Sequence, residues 1–89
     1  MHFVITHHFL KDNITEEMMK PHVEYLKELL EKGILIITGP FTDAKRGGMF
    51  IIEVNDEEEL NQVVKNDPAV LSGLSGYEVR PYKIVFQRK

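Results

Sequence analysis

The order in which short apolar runs and amphipathic segments alternate is the feature that most constrains how this chain can fold. Strand-like runs cover residues 3–10, 34–38, 49–54 and 77–86, with helix-like segments after the first run and after the third. The order strand, helix, strand, strand, helix, strand is typical of the split βαβ arrangement. We therefore predict an α+β, ferredoxin-like βαββαβ fold in which a four-stranded antiparallel sheet carries two helices on one face.

The limits of the first helix depend on three local signals. Thr15 is suited to be its N-cap, and Gly33 is suited to end it in a left-handed conformation. Pro21 lies between them, lacks a backbone N–H and clashes with the preceding turn. We therefore expect residues 16–20 to form a lead-in turn and the main helix to begin at Pro21, which places His22 in its first turn.

Other turn and cap signals limit the remaining elements. Gly39 and Pro40 are expected to stop the second strand, and Asn55 with Glu58 has the spacing of a capping box at the start of the second helix. Pro81 interrupts the last strand, which predicts an edge position or a bulge there.

Length and composition limit the chain to one small domain. With 89 residues, 43% of them apolar, it cannot build two separate cores, so we predict a single domain over residues 1–89. It has no cysteine, which excludes disulfide frameworks, thiol nucleophiles and cysteine-ligated metal sites and fits a cytoplasmic location.

The N-terminus and the charges argue against membranes and nucleic acids as partners. The first residues lack the basic region and cleavage site of a secretory signal, and no apolar run approaches the roughly 20 residues of a membrane-spanning helix. Eleven Lys and Arg against fourteen Asp and Glu give a net charge of −3 with no basic stripe. We expect neither partner.

Both faces of the predicted strands are apolar, which bears on assembly. In the first strand, one set of alternate residues includes Phe3 and Ile5 and the other includes Val4 and Leu10. An apolar helix-free face is unusual on a monomer, and a second copy is its simplest cover. We expect a homodimer through the helix-free sheet face, although short strands can also break the alternation by chance.

Histidine is the side chain that titrates nearest to neutral pH, so the four histidines are the first candidates for acid–base chemistry. His7 and His8 are adjacent on a strand and point to opposite faces, which makes them poor joint ligands for one metal ion. His22, in the first turn of a helix, would lie near unpaired N–H groups that keep its ring neutral. The simpler alternative is that His22 lies on the polar shoulder of its helix.

Asp67 is open to two interpretations of the same kind. Asp67 followed by Pro68 is a common N-cap and first-position pair for a short turn over residues 68–71, so a structural role is the default. If Asp67 meets His22, however, its carboxylate would hold one ring nitrogen and stabilise the imidazolium that forms when the other nitrogen accepts a proton.

A series of short motifs resembles the YciI-like (YCII-related) family across nearly the whole chain. In order, the motifs are Pro21-His22 with Tyr25-Leu26 and Gly33, Gly39-Pro40-Phe41, Gly47-Gly48, Asp67-Pro68 with Gly73, and Val79-Arg80-Pro81-Tyr82. The resemblance implies a ferredoxin-like fold, dimerisation as an α+β barrel, and a catalytic pair that falls on His22 and Asp67. A related enzyme removes HCl from a chlorinated hydroxyhydroquinone. His7-His8 departs from the family's common pattern.

We therefore expect a small enzyme in which His22 acts as general base or acid and Asp67 orients it, with no cofactor and no metal. Its substrate would be a small organic molecule that undergoes a lyase, isomerase or dehydrochlorinase type of reaction. The residues expected to line or rim the substrate pocket are His7, Gly39, Pro40 and Phe41.

Two other functions compete with this one. A dimeric domain could bind a small ligand, for regulation, without converting it. RNA-recognition domains share the topology, and the stretch from Arg46 to Ile51 partly resembles their third-strand motif. Gly48 and Glu53 stand where that motif needs aromatic residues, which makes single-stranded RNA the least favoured partner.

Overall fold

The computed structural model describes residues 1–43 and 47–88, and in these ranges it contains four strands and three helices. In chain order they are β1 (His2–Phe9), α1 (Glu16–Glu31), β2 (Leu35–Pro40), β3 (Gly47–Glu53), α2 (Glu57–Lys65), α3 (Pro68–Leu71) and β4 (Ser75–Tyr82). The strands pair antiparallel in the order β2-β3-β1-β4. The predicted α+β, ferredoxin-like fold is confirmed. Lys45 and Arg46 lie outside the described residues.

The core lies between the central strand pair and the helices. Ile5 on β1 is opposite Phe50 on β3, and Phe3 is opposite Ile52, so one face of the two strands presents four buried side chains. Burial of each such side chain contributes roughly 1.5–3 kcal/mol. The other members of this buried cluster are Leu29, Leu35, Val54, Leu60, Val63 and Val64.

Helix α1 begins earlier than the sequence predicts. Thr15 is the N-cap, its Oγ1 accepts a hydrogen bond from the Met18 N–H at 3.2 Å, and the helix then runs without a break through Pro21. The prediction that the helix starts at Pro21 is wrong, because a proline removes only one helical hydrogen bond while this cap stabilises the first turn. His22 is therefore in the second turn, beyond the free amides that were expected to hold it neutral.

Helix α2 begins one residue later than the capping-box spacing indicates. Asp56 is the N-cap, and its Oδ1 accepts a hydrogen bond from the Glu59 N–H at 2.9 Å. Asn55, the predicted cap, instead donates from its side-chain amide to the Glu59 carboxylate at 3.1 Å. Both candidates have cap-forming side chains, and the backbone geometry of the turn selects the second.

The edge strands tolerate proline. β2 continues through Gly39 and Pro40, which pair with Met49 and Gly48, so the prediction that they stop the strand is wrong. Proline can occupy β2 because the strand has a neighbour on one side only. Pro81 lies on β4 at the opposite edge, as predicted, although β4 ends at Tyr82 and not at residue 86.

A bulge in β2 changes which side chains share a face. Leu35 pairs with Ile52 on the core side, whereas Ile37 pairs with Ile51 on the helix-free side. Strict alternation along the strand would place Leu35 and Ile37 on one face, and the extra residue between them puts the two side chains on opposite faces. The helix-free face thus gains an apolar side chain, and Ile37 is 56% exposed. In the described ranges, the helices are too short or too polar to cross a bilayer.

Candidate active site

His22 and Asp67 meet in the interior although 45 residues separate them in the chain. The His22 Nδ1 lies 2.7 Å from the Asp67 Oδ1, and the two residues are only 5% and 4% exposed. A charge-assisted hydrogen bond of this length, shielded from water, is stronger than one on the surface. The pair that sequence reasoning could only suggest is therefore in direct contact.

Asp67 is held in place by its local structure. It is the N-cap of α3, and its Oδ1 also accepts a hydrogen bond from the Ala69 N–H at 2.9 Å. Pro68 follows at the first helical position, where its missing N–H costs nothing. The two interpretations of Asp67 were a cap and a partner of histidine, and the carboxylate makes both contacts through the same oxygen atom.

The contact with Asp67 determines which nitrogen of His22 is available for chemistry. His22 is one of only two residues of α1 that are fully buried, and it also lines a cavity. Because Nδ1 is bonded to the carboxylate, Nδ1 carries the proton in the neutral ring, and the lone pair is on Nε2. This arrangement leaves Nε2 as the atom that can accept a proton from a molecule in the cavity.

The cavity beside His22 has a volume of about 450 Å³, within the range of pockets for small organic molecules. Helix α1 forms one wall, and the ends of β1, β2 and β3 form the other. Its lining is mainly apolar and consists of His7, Phe9, Met19, His22, Val23, Leu26, Lys27, Leu30, Leu35, Thr38, Gly39, Pro40 and Gly47.

Three of the four expected pocket residues line this cavity. They are His7, Gly39 and Pro40, whereas Phe41 is outside the lining and 48% exposed. Sequence reasoning missed the wall that α1 provides. A signal was present in the apolar stripe of α1. Val23 and Leu30 belong to this stripe but are 45% and 57% exposed and border the cavity, so the stripe is wider than the core requires.

His7 is close to the pair. Its ring centroid lies 5.2 Å from that of His22 in an edge-to-face arrangement, and its ring also contacts Phe9 and Phe50. Burial lowers the pKa of His7 below its usual 6.5, the charge that His22 can carry lowers it further, and Asp67 acts in the opposite direction. His7 is therefore an uncharged imidazole at neutral pH.

Tyr25 joins the helix that carries His22 to the neighbouring helix. Its hydroxyl donates a hydrogen bond to the Val63 carbonyl of α2 at 2.6 Å. Burial raises the pKa of Tyr25 to about 12, and the negative charges of Asp67 and Glu28 act in the same direction. The hydroxyl thus remains a donor over the whole physiological range of pH.

Across residues 1–43 and 47–88, histidines and carboxylates nowhere gather in a group of three or more that could hold a metal ion. What the site offers is a proton acceptor, a carboxylate behind it, and an uncharged imidazole next to it.

Known proteins are similar to this chain in sequence and in structure. The protein YjpA of Bacillus subtilis (strain 168) is 33% identical over 73 residues, which cover 82% of this chain and 85% of YjpA. The 5-chloro-2-hydroxyhydroquinone dehydrochlorinase TftG of Burkholderia phenoliruptrix AC1100, solved with 2,5-dihydroxybenzoquinone, matches with a TM-score of 0.75 at 24% identity and covers 93% of this chain and 94% of its own. An antibiotic biosynthesis monooxygenase matches with a TM-score of 0.59 at 16% identity. The match covers 94% of this chain and 100% of the monooxygenase chain.

The two solved structures show that the fold is shared. The model of the YCII-related domain matches residues 1–83, which is nearly the whole chain. The resemblance to the YciI-like family is thereby confirmed, and this protein is a member of the YCII-related family.

Proposed function

We propose that this protein is a cofactor-independent enzyme that moves a proton on a small organic molecule, with His22 as the general base and acid. The observation that carries this proposal is the buried 2.7 Å contact between His22 Nδ1 and Asp67 at the wall of an apolar cavity. A histidine with one nitrogen bonded to a carboxylate and the other directed at a substrate is a common arrangement for proton transfer.

The proposed chemistry begins with removal of a proton from carbon. His22 Nε2 accepts the proton, and the carboxylate of Asp67 stabilises the imidazolium that forms. The electron pair of the broken C–H bond then moves into the substrate. If His22 returns the proton to a different atom, the product is an isomer. If chloride on the neighbouring carbon leaves with its bonding electrons, the product is an alkene. On a chlorinated hydroquinone, His22 instead moves a hydroxyl proton to the carbon that carries chlorine, and loss of the other hydroxyl proton then expels chloride and gives a quinone.

Substrates with a small oxygenated ring fit this site best. The cavity volume of about 450 Å³ suits a single ring, and its apolar wall would pack against the faces of that ring. TftG, whose structure resembles this one, is a dehydrochlorinase solved with a dihydroxybenzoquinone. This likeness supports elimination from a ring as the first reaction to test.

The test is turnover by the wild-type protein and by variants of the pair. We expect chloride release from 5-chloro-2-hydroxyhydroquinone, or exchange of a substrate C–H with deuterated solvent, in a panel of small carbonyl compounds. His22→Gln and Asp67→Asn should each reduce the rate by about a hundredfold or more, because general base catalysis contributes roughly 10² to 10⁴. His2→Gln is the matched control, because His2 contacts the Glu53 carboxylate, away from the cavity.

Two outcomes would contradict the proposal. Equal rates in the wild-type protein and the His22→Gln variant would remove His22 from the chemistry. Binding of panel compounds without any turnover or exchange would favour the second candidate, a domain that binds a small ligand without converting it.

We also propose that the protein works as a homodimer through its helix-free sheet face. Val4, Met49 and Ile51 are only partly buried there, and Ile37 is 56% exposed. These residues come from three adjacent strands and form one apolar surface. A second copy would remove this surface from water without blocking the cavity, which opens on the other face of the sheet.

A further inference from the structure

His7 occupies a position that would ordinarily hold an apolar residue. Ile5, two residues earlier on the same face of β1, is 1% exposed and belongs to the core. The ring of His7 follows it into the interior, between Phe50 and the ring of His22. An imidazole at this position loses hydration, so a structural role alone gives no reason to prefer it over leucine or phenylalanine.

The two nitrogens of His7 have different surroundings. Nδ1 is closed off from solvent and has no hydrogen-bond partner within residues 1–43 and 47–88. A buried N–H without a partner is rarer in proteins than a buried acceptor without one. We therefore assign the proton of the neutral ring to Nε2, which makes Nε2 the donor of this side chain.

The strand opposite His7 leaves room for that donor. Gly48 pairs with His7, and a Cβ at Gly48 would lie 2.9 Å from His7 Nε2 and 2.8 Å from the Gly39 carbonyl oxygen. A side chain there would therefore displace the ring. Gly39, Pro40 and His7 itself line the cavity, so Nε2 lies at the cavity end of the sheet.

We propose that His7 is a hydrogen-bond donor to the bound molecule, with its uncharged Nε2–H holding an oxygen atom of that molecule while His22 exchanges a proton with it. This inference rests on the proposed function of His22. When a proton leaves carbon next to a carbonyl or a hydroxyl group, negative charge develops on the oxygen. An aligned N–H donor in a site shielded from water stabilises that charge.

The ligand class follows from this division of roles. One imidazole accepts a proton and the other donates a hydrogen bond, so the molecule must carry an acidic C–H or O–H and, nearby, a carbonyl, enol or phenol oxygen. Among the described residues of the lining, Thr38 and Lys27 also carry polar side chains, and most of the other side chains are apolar.

The first part of the test is the tautomer of His7 in the unliganded protein. Histidine ¹⁵N NMR at pH 7 should show His7 as a neutral ring with the proton on Nε2. A proton on Nδ1, or a doubly protonated ring, would overturn the proposal whatever the ligand.

The second part is binding of 2,5-dihydroxybenzoquinone, measured by calorimetry with the wild-type protein and matched variants. His7→Phe keeps an aromatic ring but removes the donor and should weaken binding about tenfold, the equivalent of roughly 1.4 kcal/mol. His7→Gln restores an N–H donor and should recover part of the affinity. His8→Phe is the control, because His8 is exposed on the opposite face of β1.

The outcomes separate this inference from the proposed function. Equal affinity in the His7→Phe and His8→Phe proteins, or no binding by the wild-type protein, would overturn the role of His7. If His22→Gln still abolishes turnover in that case, the proposed function stands without His7. If His7→Phe fails to fold, the tautomer and the His7→Gln affinity decide.

Discussion

A single oxygen atom of Asp67 connects local structure to the site. Its Oδ1 caps α3 through the Ala69 N–H and also accepts the hydrogen bond from His22 Nδ1. The cap is a short-range feature that any Asp-Pro pair can form. The contact with His22 is long-range and lies in the interior, where Asp67 is 4% exposed.

The two contacts of Asp67 can be separated by removing its charge. Asp67→Asn keeps a cap-forming side chain but replaces the carboxylate beside His22, so we expect a loss of about 1–3 kcal/mol in the free energy of unfolding. Asp56→Asn is the matched control, because Asp56 caps α2 at an exposed position without a histidine partner. Urea unfolding measures the free energy of unfolding of each variant. Similar small losses in the two variants would mean that Asp67 acts as a cap alone.

At the scale of the secondary-structure elements, packing against the core and a hydrogen bond to α2 determine the position of α1. Leu29 packs into the core, whereas Val23 and Leu30 face the cavity and stay partly exposed. Tyr25 adds a directional contact, because its hydroxyl bonds to the Val63 carbonyl of α2. The position of His22 therefore depends on how α1 is held against its neighbours, and less on the first turn of the helix.

Tyr25→Phe tests how much this link contributes. The substitution leaves the Val63 carbonyl without its donor, so we expect a loss of about 1 kcal/mol in the free energy of unfolding at pH 7. Tyr77→Phe is the control, because Tyr77 lies on β4 and is 40% exposed. It should change the free energy of unfolding by much less.

The same tyrosine predicts a dependence on alkaline pH. The pKa of Tyr25 is raised to about 12 in the folded protein, and an unfolded tyrosine ionises near a pKa of about 10. The unfolded state therefore loses its proton first, so the contribution of Tyr25 to stability is complete below about pH 10 and is lost as the pH rises toward 12. Unfolding curves of the wild-type protein and Tyr25→Phe should converge over this range, and parallel curves would contradict the assignment.

On the scale of the whole molecule, a small chain leaves one face of its sheet without a helix. The chain of 89 residues uses its helices to cover the face that holds Ile5 and Ile52. The other face keeps an apolar surface around Ile51, to which the bulge in β2 adds Ile37. A domain of this size buries a modest share of its surface, so a second copy would add substantially to its stability.

Sedimentation tests the dimer. We expect the wild-type protein to sediment as a dimer at micromolar concentration, and Ile51→Lys to shift it to a monomer by placing a charge in the centre of the proposed interface. Leu71→Lys is the control, because Leu71 is 71% exposed on α3, away from this face. A wild-type monomer, or a dimer that Ile51→Lys leaves intact, would contradict the proposed interface.

Much of the fold could be predicted because its signals are local or periodic. Apolar runs located all four strands, and their order indicated the topology. The errors also have local causes: a proline within α1 does not outweigh the cap at Thr15, and Gly39-Pro40 does not stop β2, because an edge strand accepts both residues. The bulge in β2 could not be predicted, because the pairing with β3 creates it.

The sequence by itself determined the order of the elements, the cap at Asp67 and the choice of residues able to exchange protons. These properties depend on side-chain chemistry and on hydrogen bonds between near neighbours. Only the tertiary structure decided that His22 reaches Asp67 across 45 residues, that His7 turns toward the same cavity, and that Phe41 lies outside its lining. The reason is physical: such contacts depend on how the helices pack against the sheet, and packing sums interactions over the whole chain.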